Sequence, residues 1–240
     1  MKALLIIFSL FSSTLWAQTE AYLEVTYKAE RITPIDYAKI TNAQTRYILQ
    51  GQEAVLSDIA FELKACNTTY YYAYTAGIDD DGSIRKAASL TGGRGIYYRN
   101  DTLHFRQTDS YGEPLNISLT KERFGAWEIT DEQKDILGYT CFKAIAFKEE
   151  INNDLTTRQQ RIVAWFAPEL NFPAGPQGVD ELPGLVLEAS ENGIYTFRAT
   201  ALKLDDRCKE IEVPKKGKTL TKEEYDQFII DRFKLIKSRG

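Results

Sequence analysis

One histidine, His104, three cysteines, Cys66, Cys141 and Cys208, and 34 acidic side chains are the groups in this 240-residue chain from which a reaction could be built. His104 alternates with Leu103 and Phe105 in a strand pattern, which puts it on the polar face with Thr102 and Arg106 as a solvated imidazole. A Cys–His nucleophile pair needs a reduced cysteine beside it, and an oxidising compartment disfavours that. The chain has no G-x-S-x-G and no H-E-x-x-H, so the serine-hydrolase and zinc-protease signatures are missing. Cysteine spacings of 75 and 67 contain no C-x-x-C, which disfavours structural zinc and thioredoxin-like redox chemistry. No cofactor or metal is expected.

Three further stretches invite chemistry. An EF-hand loop with its D-x-D-G at Asp79-Asp80-Asp81-Gly82 would start at Gly77 and end at Ala88, where Asp and a bidentate Glu are required, so a turn explains these acids better. Thr91-Gly92-Gly93-Arg94-Gly95 lacks the Lys-Ser/Thr of a phosphate loop and opens a strand pattern, which reads as a flexible connection. Acids such as Asp180, Glu181, Asp205 and Asp206 could meet as the paired carboxylates of a glycoside hydrolase, although a chain this rich in acids supplies such pairs by chance.

The elements that must position these groups begin after an export signal. Lys2 precedes the apolar run Ala3 to Phe8, and Leu15-Trp16-Ala17 offers a small residue for cleavage before Gln18, the layout of a secretory signal peptide over 1–17. No later stretch is apolar for the roughly 18 residues a membrane helix needs. The expected mature protein is exported, periplasmic or extracellular, without a transmembrane segment. Its net charge goes from −4 to −5 on loss of Lys2, so with or without the signal segment the chain lacks the basic excess a nucleic-acid partner requires. In that compartment three cysteines predict one disulfide among Cys66, Cys141 and Cys208, with the pairing open.

Residues 18–213 read as one β-rich domain. Leu23, Val25 and Tyr27 alternate with polar residues, and Thr45 to Leu49 and Tyr70, Tyr71, Tyr72 and Tyr74 have strand composition. Hairpins are expected at Ile96–Phe105 about Asn100-Asp101 and at Leu185–Leu204 about Asn192-Gly193. Trp127 to Thr130, Tyr139 to Phe147 and Arg158 to Phe166 form a meander with a turn at Ile151–Asp154, and short connections imply antiparallel pairing. No helix pattern of the dozen or more residues that a parallel crossover needs interrupts the series. Residues 214–240 add a solvated linker and a helix opened by the capping box Thr221-Lys222-Glu223-Glu224, with an apolar stripe of Tyr225, Phe228, Ile229, Phe233 and Ile236 that docks on the sheet. The expected fold is mainly β, an antiparallel curved sheet, sandwich or partial barrel with a C-terminal amphipathic helix.

Between 168 and 184 lie Pro168, Pro173, Pro176 and Pro183 with Gly175, Gly178 and Gly184. So long a loop without secondary structure is either a binding loop or a plug closing one end of the sheet. Leu182-Pro183-Gly184-Leu185 fits a type II turn, with Pro183 presetting φ and Gly184 accepting the positive φ.

The ordered series Trp127, Lys134 to Ala144, Ala164-Trp165-Phe166-Ala167-Pro168-Glu169-Leu170, Gly175-Pro176 and Glu181-Leu182-Pro183-Gly184-Leu185-Val186-Leu187-Glu188 resembles the GLPGLI family of bacterial secreted proteins. Glu181 stands for the first Gly of the name hexapeptide and Val186 for its final Ile. The resemblance implies a bacterial envelope or secreted address, supplies no catalytic residues, and makes the sequons at Asn67 and Asn116 irrelevant. The resulting expectation is a non-catalytic envelope protein that binds an apolar or peptide ligand, a lipid or an outer-membrane component through Trp165, Phe166, Phe172, Pro176, Leu182, Pro183 and Gly184; a carboxylate-based hydrolase is the competing class.

Overall fold

The computed structural model describes residues 22–75, 83–91, 93, 95–110, 113–120, 123–151, 156–191, 193–215 and 217–237. The signal segment, the acidic turn at 79–82, Asn192 and most of the turn at 151–154 lie outside them. Among the described residues, twelve strands form one sheet: β1 (Tyr22–Arg31), β2 (Ala60–Cys66), β3 (Thr69–Thr75), β4 (Ile96–Arg99), β5 (His104–Ser110), β6 (Glu113–Ser118), β7 (Glu128–Ile136), β8 (Tyr139–Ile151), β9 (Thr157–Ala167), β10 (Leu185–Ser190), β11 (Tyr195–Asp205) and β12 (Lys218–Leu220). Their order is β12-β6-β5-β4-β3-β2-β1-β11-β10-β9-β8-β7, antiparallel throughout except where β12 runs parallel to β6. The mainly β, antiparallel reading of the sequence therefore holds, as do both hairpins and the meander.

Topology requires this sheet to be curved. The chain passes from β6 to β7 through residues 119–127 alone, although those strands stand ten places apart in the sheet. Laid flat, ten spacings of about 4.8 Å would put them about 48 Å apart. Nine linking residues reach at most roughly 36 Å, so the two halves must roll toward each other. The face turned inward is apolar: Leu23, Val25, Tyr27, Phe61, Leu63, Tyr70, Tyr72 and Phe197 are all buried. A T-shaped contact of Phe61 with Phe197 and a stack of Phe61 on Tyr72 join β2 to β11 and β3.

One expectation is corrected, and two segments are seen in more detail. Thr45 to Leu49 lies within helix α1 (Ala43–Ala54), because the Asn42 side chain accepts from the Thr45 N–H and caps it, which outweighs the strand preference of Thr45, Tyr47 and Ile48. A second helix, α2 (Ser83–Leu90), also lies between strands, and its eight residues fall short of the dozen or more of a parallel crossover. The linker before the C-terminal helix keeps Lys215 and Lys218 exposed, while the Lys215 carbonyl accepts from Gln107 and residues 218–220 add β12 to the sheet edge.

The C-terminal helix, α3 (Lys222–Lys237), starts as its capping box requires: Thr221 Oγ1 accepts from the Glu224 N–H at 3.2 Å, and Glu224 Oε2 accepts from the Thr221 N–H at 2.8 Å. It lies against β6 and β12, with Tyr225, Phe228 and Ile229 half-buried. Among the described residues no helix is long and apolar enough to cross a membrane. Cys66 and Cys208 form the disulfide, tying the end of β2 to the segment after β11, while Cys141 is buried in β8 as a free thiol. Burial pushes the Cys141 thiol up to about 11. We expect an aromatic disulfide reagent to find almost no thiol in the native protein, one after denaturation and three after reduction; a fast-reacting native thiol would contradict this pairing.

Candidate functional site

The proline-rich loop after β9 folds inside the rolled sheet, with every residue from Ala174 to Asp180 buried. Its anchor is the side chain of Asp180, which is fully buried and faces three bases. Arg123 Nη2 is 2.6 Å from Oδ1; Arg99 Nη1 and His104 Nε2 are 3.0 and 3.1 Å from Oδ2. Arg99 also donates to the Pro173 carbonyl at 2.8 Å, so one guanidinium staples the loop at two points. Burial by itself would raise the Asp180 carboxyl, but the hydrogen bond from His104 and the charges of Arg123, His104 and Arg99 outweigh it and hold the group at about 2. Such a carboxylate has no proton to give near neutrality, and it serves as a fixed anion. His104 is therefore turned toward Asp180 rather than solvated as its alternation suggested.

Two glycines let the loop fit. Gly178 has φ +77, and a Cβ there would overlap the Tyr97 ring. Gly184 has φ +151, and its Cβ would overlap the Ala167 carbonyl. The positive φ expected for the Leu182–Leu185 turn is present, but the turn does not close as type II: the Gly184 N–H donates to the Leu182 carbonyl and the Leu185 N–H to that of Leu170.

Beside the plug, cross-strand pairs from the two halves of the sheet face one another. On β4 and β5, Tyr97 is opposite Arg106; on β8 and β9, Lys148 is opposite Gln160 and Glu150 opposite Arg158. With Thr91, Gln177, Glu191, Tyr195 and Phe197 they enclose a predominantly polar recess of about 230 Å³. Lys148 Nζ holds Glu191 at 2.6 Å and Glu150 at 2.9 Å. Burial works against its ammonium, and Glu191 and then Glu150 more than offset this, raising it above its ordinary value. Gln177, in the left-handed region at φ 54, donates to the Thr91 carbonyl at 3.3 Å and forms the wall that the plug contributes. A more open groove of about 390 Å³ shares Arg158 and Gln160 with the recess. Both lie where β9 extends past β10: pairing with β10 ends at Val163, whereas pairing with β8 continues to Thr157.

The residues singled out from the sequence separate from this recess. Phe166, Phe172, Pro176, Leu182 and Gly184 are buried in the plug and the strand leading to it, Trp165 is half-buried under Lys134 with 4.3 Å from Nζ to the ring centroid, and Pro183 is exposed. Only Pro176 adjoins a recess residue in the chain. Asp180 and Glu181 both approach Arg123, with 3.7 Å from Glu181 Oε1 to Arg123 Nη1, so they sit in a basic cluster; Asp205 ends β11 and Asp206 follows it. Sequence reasoning missed Arg99, Arg106, Arg123, Lys148, Gln160, Gln177 and Glu191. The signal available was register: residues opposite one another in the two hairpins supply the walls.

Two carboxylates, Glu150 and Glu191, converge in the recess, yet both are engaged with one ammonium. The arrangement presents fixed charges and amide groups to the space between the hairpins.

Residues 102–228 match the family described as N-glycanase peptide, N-terminal domain. Two solved structures of PNGF-II, in C2 and P21 crystal forms, are similar to this chain with TM-scores of 0.52 and 0.51; each is 16% identical, with 88% of this chain and 33% of theirs covered. At that identity the likeness is one of fold, and the chain spans about a third of the length of those structures. No curated protein matches.

Proposed function

The chain belongs to the family of N-glycanase N-terminal domains, and from that premise we propose that it is a non-catalytic binding domain of an exported bacterial envelope protein. The GLPGLI resemblance and the signal-like first residues support the address. The recess between the β4–β5 and β8–β9 hairpins carries the reading: its charged and amide groups favour a polar ligand over the apolar one anticipated for the loop, and its size, below the roughly 300–1,000 Å³ of pockets for drug-sized molecules, favours one ring or one residue of a larger chain. An N-glycanase, by its name, meets glycans, so the ligand class proposed here is a glycan or the polypeptide that bears one.

Glycan and glycopeptide arrays test this. Wild type and Pro183→Ala should give the same pattern of spots, and Lys148→Met and Gln160→Leu should lose it, with no spot released or shortened on incubation. Spots retained by both recess variants, or consumed by wild type, would overturn the proposal.

A further inference from the structure

The charges of the recess do not balance. Arg106, Lys148 and Arg158 face Glu150 and Glu191, and both acids are held by Lys148 at 2.9 and 2.6 Å. The exposed Arg158 stands at the mouth, which leaves Arg106 as the deep cation. It is half-buried, with its carbon centre 5.9 Å from the Tyr97 ring centroid, and its Nε has no hydrogen-bond partner among the described residues. Gly95 makes room for it: a Cβ at that position would stand 2.8 Å from Arg106 Nε and 3.3 Å from Cγ. Across the recess Gln160, only 8% exposed, has an Oε1 with no partner. A buried guanidinium N–H and a buried amide oxygen left unpaired each carry a desolvation cost that a ligand can relieve.

Resting on the binding role proposed above, we infer that the recess recognises a carboxylate: the ligand's carboxylate pairs with Arg106, and a hydroxyl or amide N–H on the same ligand donates to Gln160. Guanidinium and carboxylate match as planar, two-point partners, and the walls of Tyr97 and Gly95 fix the guanidinium before the ligand arrives. The chemistry fits two sources, a sugar acid and an acidic residue of a peptide.

Calorimetric titration with glucuronate against glucuronamide, and N-acetylglutamate against N-acetylglutamine, separates them, because each pair differs in the carboxylate alone. In wild type the carboxylate of one pair should bind roughly 10- to 100-fold more tightly than its amide, as hydrogen bonds to charged groups give, and the advantage should shrink at high salt. The pair that shows the difference identifies the source. In Arg106→Gln, checked for an unchanged melting temperature, acid and amide should bind alike; Gly95→Ala, which keeps the charge but displaces it, should lose most of the preference. Equal binding of acid and amide by wild type, a preference that survives Arg106→Gln, or binding of none of the four probes would overturn the inference. Array binding that depends on Lys148 and Gln160 without any carboxylate preference leaves the binding role standing and removes this inference alone; array binding indifferent to those two residues removes the role itself.

Discussion

Asp180→Asn should be among the most damaging single changes in the molecule, costing about 3–5 kcal/mol, the usual penalty for removing one partner of a buried ion pair. The amide keeps the shape of the carboxylate but leaves Arg99 and Arg123, with side chains 22% and 15% exposed, without their anion. At about 2–4 °C per kcal/mol for a chain of this size, the melting temperature should fall by roughly 6–20 °C. The acid limb of the stability curve provides a second reading. A carboxyl held at about 2 against an ordinary 3.8 contributes stability that is complete above the unfolded value and disappears as pH drops through the folded one. Between pH of about 4 and about 2 the wild type should thus lose roughly 2–3 kcal/mol through this group, and the Asn variant should lack that component. Urea titrations at a series of pH values measure both; a variant as stable as wild type, or one with an unchanged acid limb, would show that Asp180 does not clamp the plug.

Gly184→Ala is expected to cost at least about 3 kcal/mol, because it combines two penalties of separate origin. The backbone at φ +151 is one that side-chain-bearing residues rarely adopt, which costs about 1–3 kcal/mol. The new methyl would also overlap the Ala167 carbonyl and stand 2.8 Å from its carbon, and backbone cannot move aside without parting β9 from β10. By contrast Gly138→Ala, at φ +84 with open space around its Cβ, should show the backbone penalty alone. Equilibrium unfolding of the two variants side by side separates strain from overlap, and equal losses would refute the close approach at Gly184.

The contrast between those glycines shows what sequence could convey. Pro183-Gly184 announced a rigid corner with positive φ, because that constraint is local. The overlap with Ala167 was invisible, since it depends on how β9 and β10 are placed. The same division runs through the fold. Period-2 patterns, Gly193 and the Thr221 capping box located strands, a hairpin and a helix start, as each is settled within a few residues. Thr45 to Leu49 misled because one upstream cap at Asn42 outweighed the strand preference of the residues after it. The loop 168–184 is legible in the sequence as a binding loop or a plug, but what holds it in place is not, because the three bases around Asp180 come from the ends of β4 and β5 and from the β6–β7 connection. His104 was misjudged for the same reason: alternation gives the face of a strand, and the loop that later covers that face lies more than 60 residues away. Arg106, Lys148 and Gln160 alternate as ordinary exposed strand residues, and they become a site only when a short β6–β7 link rolls one half of the sheet onto the other.

The account stands on a ligand entering that recess, and chemical-shift mapping tests it most directly. Titrating isotopically labelled protein with the strongest glycan or glycopeptide from the arrays should move the side-chain amide signals of Gln160 and Gln177 and the Arg106 Nε–H signal, while the backbone about Pro183 stays fixed. Shifts confined to the exposed loop tip or to α3, with those three side chains unmoved at saturation, would contradict it.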